Sequence, residues 1–210
     1  MAFDFKKEYK NIYLPKEQPC IIDIPCIKYL MIDGTKDPNN NPSYQEAIEI
    51  LYSISYTIKM SKNSNTLIDG YFDYVVGPLE GLWGITNDVL DFDNRDNWIW
   101  TLMIRVPDYV TEDVYSWAIE NAKIKKPNLD YSRVRLENYV EGLCVQALHI
   151  GPYSSEPNTV NKMHEFMEKM DLIDDIYNGN RKHHEIYLSD PRKTQPDKLK
   201  TILRHPVIKK

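Results

Sequence analysis

The segment HHEIYLS, residues 183–189, gathers two imidazoles, a carboxylate and a phenol in one short run. Read as a strand, it alternates. His184, Ile186 and Leu188 take one side, and His183, Glu185 and Tyr187 take the other. An apolar setting raises a glutamate pKa above its reference of about 4.3, which makes it a better general base near neutral pH. The plainer reading is a strand glutamate facing water. Aromatic residues supply candidate walls for a pocket. Trp98 and Trp100 share a face of their strand, with Thr101, Met103 and Arg105 on the other, and Phe72, Tyr74 and Val76 share a face of an earlier one. Trp83 lies with Glu80 in GPLEGLWG, residues 77–84, whose glycines and proline predict a shaped loop. Aromatic faces stack on planar rings and attract cations by about 0.5–2 kcal/mol each. Such walls with one carboxylate suit a planar aromatic or cationic small molecule, although tryptophans two apart fit a strand core equally well.

Other chemistries are poorly supported. His183 and His184 are adjacent and point opposite ways, and His149, His164 and His205 are scattered, so no metal site is expected. The GxSxG, P-loop and dinucleotide-binding patterns are absent, and no cofactor is expected. Three cysteines without CxxC spacing argue against a disulfide framework. A net charge of -5 over 210 residues disfavours direct nucleic-acid binding. No apolar run approaches the roughly 20 residues that span a bilayer, and the N-terminus has no signal-peptide pattern. These features predict a cytoplasmic protein without membrane partners, and leave its oligomeric state open.

The elements that must position these residues fall into two similar halves. IIDIPCIKYLMIDG (21–34) reads as a strand stopped by Gly34. A Pro/Asn-rich turn leads into a helix bearing Ala47, Ile50, Leu51, Ile54 and Ile58, with Ser43 and Glu46 placed as a capping box. Strands follow over about 71–77 and in DNWIWTLMIRVP, then a helix capped by Thr111. The second half has strands around 133–140 and 142–150, a helix opened by Pro157, the strand HHEIYLSD, and a last strand stopped by Pro206. YLMIDG and ALHIGP each precede a proline-containing turn and a long helix. The pattern predicts an α+β fold of two pseudo-repeated strand-helix-strand-strand modules, about 21–125 and 133–210. Together they form one domain (21–210) after a polar lead-in (1–20). The sheet would be antiparallel-rich, with helices on one face and a ligand cleft on the other.

Four segments carry a resemblance: DYVVGPLEGLW (73–83), WTLMIRVPDYVT (100–111), EGLCVQALHIGPYSSEP (141–157) and HHEIYLSDPRKTQPDKLKTILRHPV (183–207). Over nearly its whole length the chain resembles the GyrI-like small-molecule-binding family, built from this duplicated module. Within it, the chain is similar to stand-alone members of the cyclopropanoid cyclopropyl hydrolase type. The resemblance implies a site between the modules for planar, often cationic compounds, with a glutamate that matches Glu185. It also implies hydrolysis of cyclopropane-bearing DNA-alkylating toxins of the yatakemycin and duocarmycin kind. On that reading Glu185 activates water and Tyr187 stabilises the developing phenolate, while Tyr74, Trp83, Trp98, Trp100, Met103 and His149 bind the substrate. A drug-sequestering module and a gyrase-inhibitor-like interaction protein are the alternatives. One position departs from the family pattern: a second Trp is expected after Trp83, and Gly84 stands there.

Overall fold

The computed structural model describes residues 2–64, 66, 68–85, 97–176 and 181–210. In chain order the elements are β1 (Phe3–Asp4), α1 (Phe5–Glu8), α2 (Lys10–Tyr13), β2 (Cys20–Thr35), α3 (Pro42–Lys59), β3 (Tyr74–Val75), β4 (Leu79–Ile85) and β5 (Trp98–Arg105). Then come α4 (Glu112–Lys125), β6 (Arg135–Ile150), α5 (Glu156–Lys169), β7 (Leu172–Asp174), β8 (His183–Tyr187) and β9 (Lys200–Lys209). The repeat is present as β2-α3-β4-β5 and β6-α5-β8-β9. Strands follow the order β6-β2-β5-β4-β8-β9, and a further β6–β9 pairing closes the sheet into an antiparallel, barrel-like ring. Equivalent strands meet at both module boundaries: β2 pairs with β6, and β4 pairs with β8.

Local signals explain most of the elements. α3 buries Ala47, Ile50, Leu51, Ile54 and Ile58 against β2 and β5, as its 3.6-residue period requires. Its cap is Asn41, whose side chain accepts from the Ser43 N–H, and not the expected Ser43. Pro42 then takes the first helical position, where a missing N–H costs nothing. Thr111 caps α4 as read, accepting from Val114 N–H. No helix among the described residues is long and apolar enough to cross a membrane.

Several boundaries differ from the sequence reading. The expected loop over 77–84 contains most of strand β4, because its backbone is ordered by β5 and β8 on both sides. The strand expected over 71–77 shrinks to β3, which pairs with the N-terminal β1. The two strands expected over 133–150 are one, β6, bent at Gly142, whose φ of 72° favours glycine. β9 runs through Pro206, which faces Cys144 and offers its carbonyl to Asp175 N–H. The polar lead-in is structural: Phe5, Ile12 and Tyr13 are buried, and the Arg105 guanidinium covers the rings of Phe5 and Tyr9 at 4.4 and 4.3 Å.

The closed sheet separates two faces. α3 covers β2 and β5, and α5 packs on β6 with Val145, Ala147, Leu203, Met163 and Met167 in one cluster. The other face turns inward and carries charge. Tyr13 and Tyr29 hydroxyls donate to Glu80 at 3.2 Å each. His184 lies between two carboxylates, with Nε2 3.1 Å from Glu80 and Nδ1 3.0 Å from Glu141. Arg204 donates to Glu141 at 2.9 Å, to Gln146 and to the Ile12 carbonyl. An imidazole donating from both nitrogens is an imidazolium. Burial opposes that charge, but Glu141 and then Glu80 raise the His184 pKa above its ordinary value. Burial likewise works against the Glu141 anion, yet His184 and Arg204 hold its pKa down at about 2.

Breaking a buried charge cluster from one side leaves the remaining charges uncompensated. Glu141→Leu should therefore cost about 3–5 kcal/mol, read as a lower urea midpoint at unchanged slope.

Candidate functional site

The seam between the modules is the β4–β8 ladder. It pairs Gly81 with Glu185, Trp83 with His183 and Leu79 with Tyr187, and on its far side β4 pairs Trp83 with Trp100. Paired residues share a face, so Glu185, His183, Tyr187, Trp83 and Trp100 lie together. Their face is the one that bears the helices. Tyr44, in the first turn of α3, stands 5.0 Å from the Trp100 ring and 6.1 Å from Trp83. Tyr153, just before α5, stands 6.0 Å from Tyr187. Trp98 meets Trp83 at 5.7 Å. The cluster thus sits between the starts of α3 and α5, whereas the expected cleft was on the face away from the helices. Closure of the sheet gives that opposite face to the buried charges.

Glu185 is held at both oxygens. Tyr187 Oη donates to Oε2 at 2.7 Å, and itself accepts from Trp83 Nε1 at 3.1 Å. His183 Nε2 lies 3.2 Å from Oε1. The Glu185 side chain keeps 15% of its surface exposed, enough for solvent or ligand to reach it. Burial first, and then the Glu185 charge, raise the Tyr187 pKa far above its ordinary value, so this phenol stays a donor.

A second carboxyl faces the first. Glu156, at the start of α5, is hydrogen-bonded to Thr201, and its buried Oε1 has no hydrogen-bond partner in the structure. Burial and then the charge of Glu185 push its pKa to about 9. At neutral pH Glu156 is therefore a carboxylic acid.

Behind Glu185 the hydrogen bonds continue. His183 Nδ1 is 2.7 Å from His205 Nε2, His205 Nδ1 is 2.6 Å from Asp174 Oδ2, and His164 Nε2 is 2.9 Å from the same oxygen. One nitrogen or oxygen from each of His164, Asp174 and His205 falls within 4.8 Å of the others. Asp174 Oδ2 is the shared hydrogen-bond partner of both rings, so hydrogen bonds account for this geometry.

The fold brings Glu185, Tyr187, Trp83, Trp98 and Trp100 together, and leaves three expected residues elsewhere. Tyr74 is fully buried beside Phe5 and Tyr109, because its short strand pairs with the N-terminus. Met103 is buried on the inward face, paired with Glu80. His149 braces the start of α5 through Thr159, Ser155 and the Pro152 carbonyl. It lines a shallow cavity of about 160 Å³ that does not include Glu185. Sequence reasoning missed Tyr44, Tyr153, Glu156 and the role of His183. Tyr153 and Glu156 lie in GPYSSEP, a polar turn whose side chains had no pattern to aim them.

Residues 17–208 match the GyrI-like small molecule binding domain, and the chain belongs to that family. A conserved protein from Listeria innocua of unstated function is 53% identical, with a TM-score of 0.94 over 99% of this chain and 100% of that one. A hydrolase from Listeria innocua is 51% identical, with a TM-score of 0.90 over 99% of this chain and 100% of that one. The C-terminal domain of EcmrR, 14% identical, shares the fold at a TM-score of 0.54 over 92% of this chain and 98% of that one. No curated protein matches the chain.

Gly81 is the floor beneath Glu185. A Cβ there would stand 2.9 Å from Trp83 Nε1 and 3.3 Å from Tyr187 Oη. Gly81→Ala should break the Trp83–Tyr187 hydrogen bond and cost about 1–3 kcal/mol. Shifted tryptophan emission and a lower urea midpoint would register it.

Proposed function

We propose that this GyrI-like domain is a cofactor-independent hydrolase of planar aromatic toxins that carry a strained cyclopropane, of the yatakemycin and duocarmycin type, and so protects the cell that makes it. The observation that carries this reading is Glu185: a carboxylate fixed at both oxygens, partly open, among Trp83, Trp98, Tyr44 and Tyr153. The Listeria hydrolase, 51% identical over nearly the whole chain, supports a hydrolytic activity. The rings pack on one another in this conformation, and a flat ligand enters by separating them. The partner is a planar aromatic or cationic small molecule, with no direct nucleic-acid or membrane contact.

In the reaction, water oxygen bonds to the cyclopropane methylene while Glu185 takes its proton. The ring C–C bond breaks, and its electron pair enters the fused dienone, which becomes an aromatic phenolate. That oxygen then takes a proton, so the product is the substrate plus one water. Ring strain and aromatisation drive the step, and the protein supplies a base, a donor and alignment. Tyr187 was expected to be the donor, but its proton is directed at Glu185, which makes it a positioning residue. The donor role falls to Glu156, neutral at working pH and with a free buried oxygen. Tyr74, Met103 and His149 lie away from Glu185, and Tyr44 and Tyr153 stand with the tryptophans as the binding wall. Trp100, 1% exposed, backs Tyr44 instead of touching ligand.

Catalytic amounts of protein incubated with a duocarmycin-type compound should give, by mass spectrometry, a product heavier by one water over many turnovers. Glu185→Gln should lower that rate by about 10²- to 10⁴-fold while binding, followed by tryptophan quenching, survives. Stoichiometric protection without product would instead indicate sequestration.

Glu156 also makes a stability prediction. Its folded pKa of about 9 stands above the unfolded value of 4.5. As pH rises between them the unfolded chain sheds a proton that the native state retains, so stability falls. Glu156→Gln removes this linkage, and its melting temperature relative to wild type should climb steadily between pH 5 and pH 9 (a span set by the same two values).

A further inference from the structure

We infer, on the reading that Glu185 is the base, that His183, His205 and Asp174 form a proton relay that carries the proton taken by Glu185 to the protein surface at His164. Four contacts make the path continuous: Glu185–His183 at 3.2 Å, His183–His205 at 2.7 Å, His205–Asp174 at 2.6 Å and Asp174–His164 at 2.9 Å. They cross β8, β9, β7 and α5, so no single element imposes them. The path dips into the protein and comes out at the surface. Side-chain exposure is 15% at Glu185, 20% at His183 and 2% at His205, and reaches 49% at His164.

Proton counting shows what the chain can do. Between Glu185 and Asp174 lie three hydrogen bonds. Two neutral imidazoles supply only two of the protons these need. The segment therefore binds one proton beyond neutral rings and ionised carboxylates. Of the arrangements that satisfy every bond, two keep both rings neutral, and the others carry the extra proton on His183 or His205. In one, Glu185 is the acid and donates to His183 Nε2, His183 Nδ1–H donates to His205 Nε2, and His205 Nδ1–H donates to ionised Asp174. In the other, each proton has moved one bond along: Asp174 is the acid and Glu185 is the carboxylate. The shift from the first to the second moves one proton from Glu185 to Asp174 without turning a ring. In turnover, water delivers a proton to Glu185, a proton leaves through His164 to solvent, and solvent returns one to Glu156 after it has protonated the phenolate, so the count closes.

The surroundings suit this role. Burial, and next the neighbouring His183, keep His205 below the ordinary imidazole pKa despite its bond to Asp174, which favours a neutral ring able both to accept and to donate. Burial opposes the Asp174 anion, but His205 and His164 hold its pKa low, and His164, its second partner at 2.9 Å, is the exposed end of the path. Among the described residues, the titratable groups around the path include His183, Glu185 and Tyr187 on β8, Tyr153 just before α5, Glu156 and His164 on α5, His205 on β9, Asp174 on β7, and Tyr44 on α3. β4 contributes Trp83, which does not titrate. A mere structural brace would need the hydrogen bonds but not the mobility of their protons.

The variant is His205→Asn, whose amide spans both neighbours but cannot exchange one proton for another. Turnover of a duocarmycin-type compound should drop by about 10²-fold in kcat, with KM unchanged, and should become dependent on buffer concentration. Wild-type turnover should not depend on it. A readout free of turnover is the His164 titration in ¹⁵N-histidine-labelled protein. Glu185→Gln should shift that titration in the wild-type background and leave it unmoved in the His205→Asn background. An unmoved His164 titration in both backgrounds, or a His205→Asn enzyme with wild-type kcat, would overturn the relay. If no wild-type turnover is seen but the His164 shift appears and depends on His205, the relay stands and the hydrolase reading alone fails.

Discussion

The buried imidazolium of His184 is the interaction on which the rest depends. It joins Glu80 of the first module to Glu141 of the second, and Arg204 and Tyr13 complete the cluster. Side chains alternate along a strand, so a one-residue slip exchanges its faces. With His184 and Ile186 held inward, His183, Glu185 and Tyr187 must face outward. The buried charges thus set the register that aims the candidate base. A hydrophobic replacement of the same volume could match their stability. It would not punish a slipped β8 with an unpaired charge.

The two modules share a plan and divide the work. At the seam, β4 contributes Trp83 over a floor of glycine, and β8 contributes the carboxylate, phenol and imidazole. The start of α3 adds Tyr44, and the start of α5 adds Glu156. The tryptophans come from the first module and the candidate base from the second. The two glutamates are chemically alike and differ by environment: burial and the Glu185 charge raise the Glu156 pKa, while Tyr187 donates to one oxygen of Glu185 and His183 stands at the other. One can give a proton where the other takes one.

Much of this was legible in the sequence because it is local. The 3.6-residue period of α3, the Thr111 cap, Pro157 at the start of α5 and the two-residue alternation of HHEIY each show their element without help from distant residues. So did the order of the two halves, and the sharing of one face by Glu185, Tyr187 and His183. Where local signals conflict with distant partners, the partners win. GPLEGLWG looks like a loop until strands flank it on both sides, and Pro206 looks like a stop until β6 pairs with it.

The sequence alone therefore determined the elements, their duplicated order and the side of β8 on which the candidate base lies, since short-range sterics and periodicity decide those. Only the tertiary structure decided that the sheet closes, that its inner face holds charged side chains, and that the helix-bearing face holds the candidate site. It alone placed Tyr74 and Met103 away from Glu185, Glu156 beside it, and His205 and Asp174 behind it. These are matters of long-range pairing and closure. Residues far apart in the chain become neighbours through hydrogen bonds between strands, and no period in the sequence encodes which strands those will be.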